Sequence, residues 1–181
     1  MVMVSLDTEK SCYTAVKYLI DHGHRKIAMI GSSFLPGYYE TTERGYRRAL
    51  TENGIDICYD WVCNQCQNER DAYLFMEQLL GEKDCPTAVF AVGDIYAIGA
   101  MRCVLDRGFA VPDDFSFTGV DDIVLSKYIS VPLTTVGYDK IDIGRLAMEQ
   151  VMNLIQGKPA HSIVVPSDRL IERKSVKKVS L

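Results

Sequence analysis

The chain has 181 residues, 48% of them hydrophobic and 24% charged, with a net charge of −4 and a pI near 5.4. That balance fits one globular domain, or one and a fraction, able to bury most of its apolar surface without covalent staples. It argues against a free-standing nucleic-acid binder, which carries a basic face. No apolar run approaches the ~20 residues that span a bilayer, so no membrane partner is expected.

The start, "MVMVSLDTEK", lacks the basic and long apolar regions of a signal peptide. Six scattered cysteines (Cys12, Cys58, Cys63, Cys66, Cys85 and Cys103) do not form a disulfide framework, and together these features predict a reducing cytoplasm. The first helix is "TEKSCYTAVKYLIDHG", with Cys12, Ala15, Val16, Leu19 and Ile20 on one stripe and Gly23 as its stop. "KIAMIGS" is a continuous apolar run, as in a strand covered on both faces. "TTERGYRRALTENG" is a helix with Thr41 or Thr42 as N-cap. "DWVCNQC" reads as the second strand, and "NERDAYLFMEQLLG" as a helix capped by Asn68. "TAVFAVGD" and "IYAIGAMRCVLDRG" are the third strand and its helix; "FSFTGVDD" and "LTTVGYD" are the fourth and fifth strands. "DIGRLAMEQVMNLIQG" is a strong amphipathic helix, and "SIVVPSDRLIERKS" a last extended segment.

Strands alternating with helices mean βαβ units and an α/β fold with a doubly wound parallel sheet. Ligands of such sheets sit outside the carboxyl ends of the strands. That rule separates two acidic pairs. Asp113-Asp114 precedes its strand after Pro112 and reads as a turn at the opposite edge. Asp121-Asp122 ends the strand and faces the ligand edge, as do Ser32-Ser33, Cys66-Gln67 and Gly93-Asp94. Asp94 opens a helix, so its carboxylate is expected to cap the first turn.

Several chemistries are set aside. Cys63 and Cys66 have CxxC spacing, but positions i and i+3 of a strand point to opposite faces, and no second pair completes a zinc site. His22 is expected to favour the dipole at a helix C-terminus. No nucleophile elbow, Walker loop or GxGxxG motif occurs. Neither an enzyme, a cofactor nor a metal is therefore expected. "ERKSVKK" reads as a short solvated basic tail.

"DHGHRKIAMIG", "GYRRALTENGI", "PTAVFAVGDIYAIGAM", "GFAVPDDFSFTGVDD", "VPLTTV" and "LIERKS" occur in order and at characteristic distances. Together they resemble the effector-binding domain of the LacI/GalR family of bacterial transcription regulators. The resemblance implies a fold like type I periplasmic sugar-binding proteins, with two α/β subdomains hinged around a small ligand, often a sugar. It also implies a homodimer that reaches operator DNA through an N-terminal helix-turn-helix. Against that architecture the chain reads as truncated at its start, with the helix-turn-helix and part of the N-terminal subdomain missing. The expected division is residues 1–23 as a remnant of that subdomain, 24–138 as the C-terminal effector-binding subdomain, 139–157 as a crossover helix, and 158–181 as a return segment. The stripes of both flanking helices are then expected to lie uncovered and to drive self-association. Hinge motion is expected at 138–141 and 156–158.

Within the implied pocket, Asp121 matches the carboxylate that accepts hydrogen bonds from ligand hydroxyls, and Asp122 is its capping or solvated neighbour. Asp94 falls at a strand end that the family uses for ligand as well. Two positions depart from the family's pattern. Its arginine before the glycine of the "GY" helix is replaced by Thr42, with Arg44 nearby. Its aromatic wall after the second strand falls at Gln67, with Tyr38 and Tyr39 as alternative aromatic surface. These departures leave the effector open between a modified sugar, another small polar molecule and none. A sugar-binding protein of a transport system shares the fold and is the alternative reading.

Overall fold

The computed structural model describes residues 2–33 and 37–179. Residues 34–36, the front of the "FLPGYYETT" loop, fall outside it. The elements run β1 (Val4–Leu6), α1 (Thr8–Asp21), β2 (Ile27–Ile30), α2 (Tyr38–Glu52), β3 (Val62–Cys63), α3 (Glu69–Leu80), β4 (Ala88–Ala91), α4 (Asp94–Asp106), β5 (Ser116–Val120), β6 (Thr134–Gly137), α5 (Lys140–Ile155), β7 (Ile163–Val165) and β8 (Arg169–Ile171).

A six-stranded sheet has the order β3-β2-β4-β5-β6-β8, parallel throughout except for antiparallel β8. β2 pairs with β3 on one side and β4 on the other, so the winding reverses between β2 and β4. Helices α1 and α2 cover one face and α3 and α4 the other. The strands serve both layers by their period of two. Ala28, Ile30, Val89, Ala91 and Phe117 pack toward α3 and α4, whereas Ile27, Met29, Ala88, Phe90 and Val120 pack toward α1 and α2. Each layer closes at a glycine. A Cβ on Gly45 in α2 would stand 2.3 Å from the Glu9 carbonyl oxygen of α1, and one on Gly99 in α4 would stand 2.0 Å from that of Glu69 in α3.

The stripe of α1 is fully used. Cys12, Ala15, Val16, Leu19 and Ile20 are buried against α2 and the main sheet, where each of the larger side chains contributes roughly 1.5–3 kcal/mol. The expectation that residues 1–23 belong to a separate subdomain with an open stripe is therefore not met for this helix, because α2 and the sheet already cover it. A separate small unit does exist. β1 pairs in parallel with β7, and α5 lies beside them. No residue of α5 is buried: Ile141, Leu154 and Ile155 are 84%, 57% and 73% exposed. The stripe of the second flanking helix is uncovered as expected.

The chain passes between the two units at Asp7, at Tyr138-Asp139 and at 166–168. The turn at 156–158 lies inside the small unit, since β7 pairs with β1, so it is not a crossing. Two of the crossings are laced together. The Ser11 hydroxyl donates to the Ser167 carbonyl at 2.6 Å, and Lys10 pairs with Asp168 at 2.6 Å.

Local signals succeed and fail for visible reasons. Asn68 caps α3, its side chain accepting from the amides of Arg70 and Asp71. Helix α2 starts earlier than its threonines indicate, with Gly37 in the left-handed region as N-cap and the Thr41 and Thr42 hydroxyls donating back to the carbonyls of Gly37 and Tyr39. The second strand shrinks to two residues after a 3-10 turn over Tyr59–Trp61. The "ERKSVKK" segment is not a solvated tail. Ser175 is buried, donates to the Phe117 carbonyl at 2.6 Å and accepts from the Thr134 amide at 2.8 Å. Among the described residues no helix is long and apolar enough to cross a membrane.

Candidate functional site

The carboxyl ends of β2, β4 and β5 and the first turns of α2 and α4 surround a hollow of about 210 Å³. Its lining includes Ser32, Tyr38, Gly93, Ile95, Tyr96 and Asp121. It lies where the winding reverses between β2 and β4, the position at which doubly wound sheets hold ligands. Larger hollows open at the amino edge, one of about 590 Å³ around Arg25, Asn53 and Trp61 and one of about 800 Å³ around Phe75, Leu79 and Lys83. Neither lies at the ligand-binding edge of the sheet, so position and chemistry favour the smaller one.

Asp121 stands at the mouth of that hollow on a backbone with φ of 110°, and Asp122 follows with φ of 48°. Two consecutive non-glycine residues in this region are a strained turn, of the kind that sites retain. Tyr138, from the end of β6, donates its hydroxyl to Asp121 Oδ1 at 3.3 Å, and the Lys140 ammonium is bonded to the Asp121 carbonyl. Burial raises the Asp121 carboxyl to about 6, the negative charge of Asp94 adds to the rise, and Tyr138 and Lys140 oppose it. Burial and the Asp121 charge in turn push the Tyr138 phenol up to about 12. Tyr38 donates to the Val92 carbonyl at 3.3 Å, which holds its ring across the hollow.

Asp94 lies directly behind this surface and is 0% exposed. Its carboxylate accepts from Thr135 Oγ1 at 2.5 Å, Ser126 Oγ at 2.6 Å and the Ile123 amide at 2.9 Å. Burial raises its pKa and these three donors pull it back. The expected N-cap role is thus corrected: Gly93 is the cap of α4, and the Asp94 side chain turns instead into the β5–β6 connection. An ionised group so deep needs its donors from the protein. A Cβ on Gly119 would stand 2.3 Å from its Oδ1, so the strand is bare at that point. Asp122 is neither a cap nor solvated. It forms an ion pair with Arg173, whose guanidinium also donates to the Leu133 carbonyl at 2.7 Å.

The remaining sequence candidates separate. Thr42 is fully buried, its hydroxyl spent on the Tyr39 carbonyl at 2.9 Å, so it presents nothing to the hollow. Arg44 is exposed and bonded to Glu9 at 3.1 Å on the outer side of α1 and α2. Gln67 lines a neighbouring hollow with Cys63 and Cys66, and its backbone N–H donates to the Asp71 carboxylate at 2.8 Å. The structure therefore brings Asp121 and Tyr38 together, with Asp94 as the buried support. Tyr96, Ile95 and Tyr138 were missed. Ile95 and Tyr96 directly follow the strand end "TAVFAVGD", a signal that was available; Tyr138 falls inside the strand "LTTVGYD", which in the structure ends at Gly137.

The periplasmic binding protein-like domain family matches residues 4–176. The chain is 36% identical over 166 residues to the HTH-type transcriptional repressor PurR of Pasteurella multocida, covering 91% of this chain and 50% of that protein. It superposes on the transcriptional regulator CelR in complex with cellobiose with a TM-score of 0.89 at 26% identity, over 96% of this chain and 54% of that one. A LacI-family transcriptional regulator from Enterococcus faecium with bound ribose gives a TM-score of 0.88 at 25% identity, over 99% of this chain and 66% of that one. The chain spans about half the length of the curated relatives it matches. With the switch-point hollow and the strand order, these matches assign it: the chain belongs to the periplasmic binding protein-like family, as an effector-binding domain of the LacI type.

Proposed function

We propose that this chain senses a small polar effector, sugar-like in its hydroxyl chemistry, at the hollow bounded by Asp121 and Tyr38, and so modulates operator binding by a helix-turn-helix elsewhere in a homodimeric cytoplasmic repressor. The observation that carries the reading is Asp121, a half-buried carboxylate on a strained strand end beside two tyrosines at the switch point. An ionised carboxylate offers two acceptor oxygens to adjacent hydroxyl donors, and the Tyr38 and Tyr96 rings offer apolar surface to the faces of a ring. Cellobiose and ribose in two neighbouring structures support that ligand class.

The mechanism is a shift between two settings of the small unit against the sheet. A ligand changes that balance only by binding one setting more tightly. Asp7, Tyr138-Asp139 and 166–168 are the backbone that absorbs the change. Because Tyr138 sits on a crossing and donates to Asp121, ligand contact and hinge share one hydrogen bond. The test is a thermal-shift screen of the whole protein against sugars, sugar phosphates and nucleobases. Ligand at a hundred times its dissociation constant adds about 2.7 kcal/mol of stability. A shift that disappears with Asp121→Ala supports the reading; a shift unchanged by that substitution places the effector elsewhere.

A further inference from the structure

Cys63 ends β3 and Cys66 follows one short turn later. The chain leaves the strand at Cys63, so the two side chains do not take opposite faces, as an unbroken strand would dictate. Their sulfurs lie 3.5 Å apart. The backbone holds this turn from both ends. The Gly31 amide donates to the Cys63 carbonyl at 2.7 Å, and the Cys66 amide to the Gly31 carbonyl at 3.2 Å. Cys66 is 1% exposed, whereas Cys63 is half-buried, and both border a hollow of about 420 Å³ with Gln65, Gln67, Asp71 and Phe75. One thiol can therefore be reached from solvent, while the other waits behind it.

We propose that Cys63 and Cys66 form a reversible dithiol–disulfide couple, with Cys63 as the attacking sulfur and Cys66 as the resolving one, oxidised by low-molecular-weight disulfides. In the first step the Cys63 thiolate attacks one sulfur of the small disulfide, forming a mixed disulfide and releasing one small thiolate. The Cys66 thiol then loses its proton to solvent and attacks Cys63 Sγ. This closes the protein disulfide and releases the second small thiolate. Two protein thiols lose two electrons, and one small disulfide is reduced to two thiols. A covalent S–S distance of ~2.05 Å requires the sulfurs to approach by ~1.5 Å, within reach of side-chain rotation on a short turn.

The electrostatics support this division of roles. The Cys66 thiol donates toward Cys63 and, with the backbone amides of Gln65 and Cys66, lowers Cys63 to about 6 from the usual 9.0. Holding that proton raises Cys66. A thiol that ionises near neutrality supplies thiolate, the reacting species. The other cysteines lack this arrangement: Cys12 and Cys103 are buried, and the thiols of Cys12, Cys85 and Cys103 are raised by burial.

The experiment titrates the whole protein in buffers of reduced and oxidised glutathione, alkylates the remaining thiols and maps them by mass spectrometry. Wild type and Cys58→Ser are expected to lose two hydrogens between Cys63 and Cys66, and dithiothreitol to restore both thiols. Cys66→Ser is expected to stop at one glutathionyl adduct on Cys63, and Cys63→Ser to remain unmodified at Cys66. Cys63 and Cys66 both remaining alkylatable in wild type across the whole titration overturns the proposal. So does a disulfide mapped to Cys58, or a two-hydrogen loss that persists in Cys66→Ser.

Discussion

Two amphipathic helices with comparable apolar stripes, α1 and α5, meet opposite fates. In α1 the stripe from Cys12 to Ile20 is buried against α2 and the sheet, whereas α5 buries no residue and leaves Met148, Val151, Leu154 and Ile155 in solvent. Periodicity states which face of a helix seeks cover. It does not state whether the chain supplies the cover. For α1 the supply is a strand-helix unit immediately downstream, and for α5 it is only the three-residue strands β1 and β7. The same contrast appears at the glycines. Gly45 touches the backbone of α1, while a Cβ on Gly144 in α5 would meet nothing within 4 Å.

Substitutions can break that contrast. Leu19→Ala in α1 is expected to cost about 2–5 kcal/mol in denaturant unfolding, whereas Leu154→Ala in α5 should change stability by less than about 0.5 kcal/mol. Equal effects would mean that α5 has a partner surface in solution. Gly45→Ala is expected to cost about 1–3 kcal/mol, since the clash is with backbone and not with a movable side chain.

Asp121 sharpens the comparison between cleft and core. Its folded-state pKa near 6 lies above the ordinary 3.8, so between those values the folded chain holds more protons than the unfolded one. Stability therefore falls as pH rises through that window, and the cost is fully present at neutral pH. Asp121→Asn is expected to stabilise the protein by about 1–3 kcal/mol at pH 7.5 while weakening effector binding. The gain should vanish at pH 3, below the unfolded value of 3.8, as thermal melts at both pH values will show. Gly144→Ala, where an added Cβ meets nothing, should raise stability by up to about 1 kcal/mol through helix propensity alone.

The alternation of apolar runs and helices was enough to read the parallel sheet, and the strand-end rule placed Asp121 at the carboxyl edge, where it borders the hollow. The buried network was less legible. Asp94 sits where a capping carboxylate would sit, and only the folded chain shows Thr135 and Ser126, distant in sequence, drawing it inward. Ser175 and Arg173 read as a solvated tail because their partners, Phe117 in β5 and Asp122 in the turn after it, are distant in sequence and leave no local signature. Cys63 and Cys66 lie closer than the opposite faces of an unbroken strand allow, because the chain turns after two residues.

The amide of Met3 reaches Ser162 Oγ at 3.2 Å, across 159 positions of chain. Closing so long a loop is entropically costly, and three residue pairs between β1 and β7 return little for it. The central strands carry no such burden once their neighbouring helices dock. The small unit is thus the last part to assemble and the first to open, a subglobal fraying event and not a step of global unfolding. In native-state hydrogen exchange, the amides of Asp7 and Ile163, bonded to Val165 and Met3, should exchange orders of magnitude before those of Met29 and Phe90.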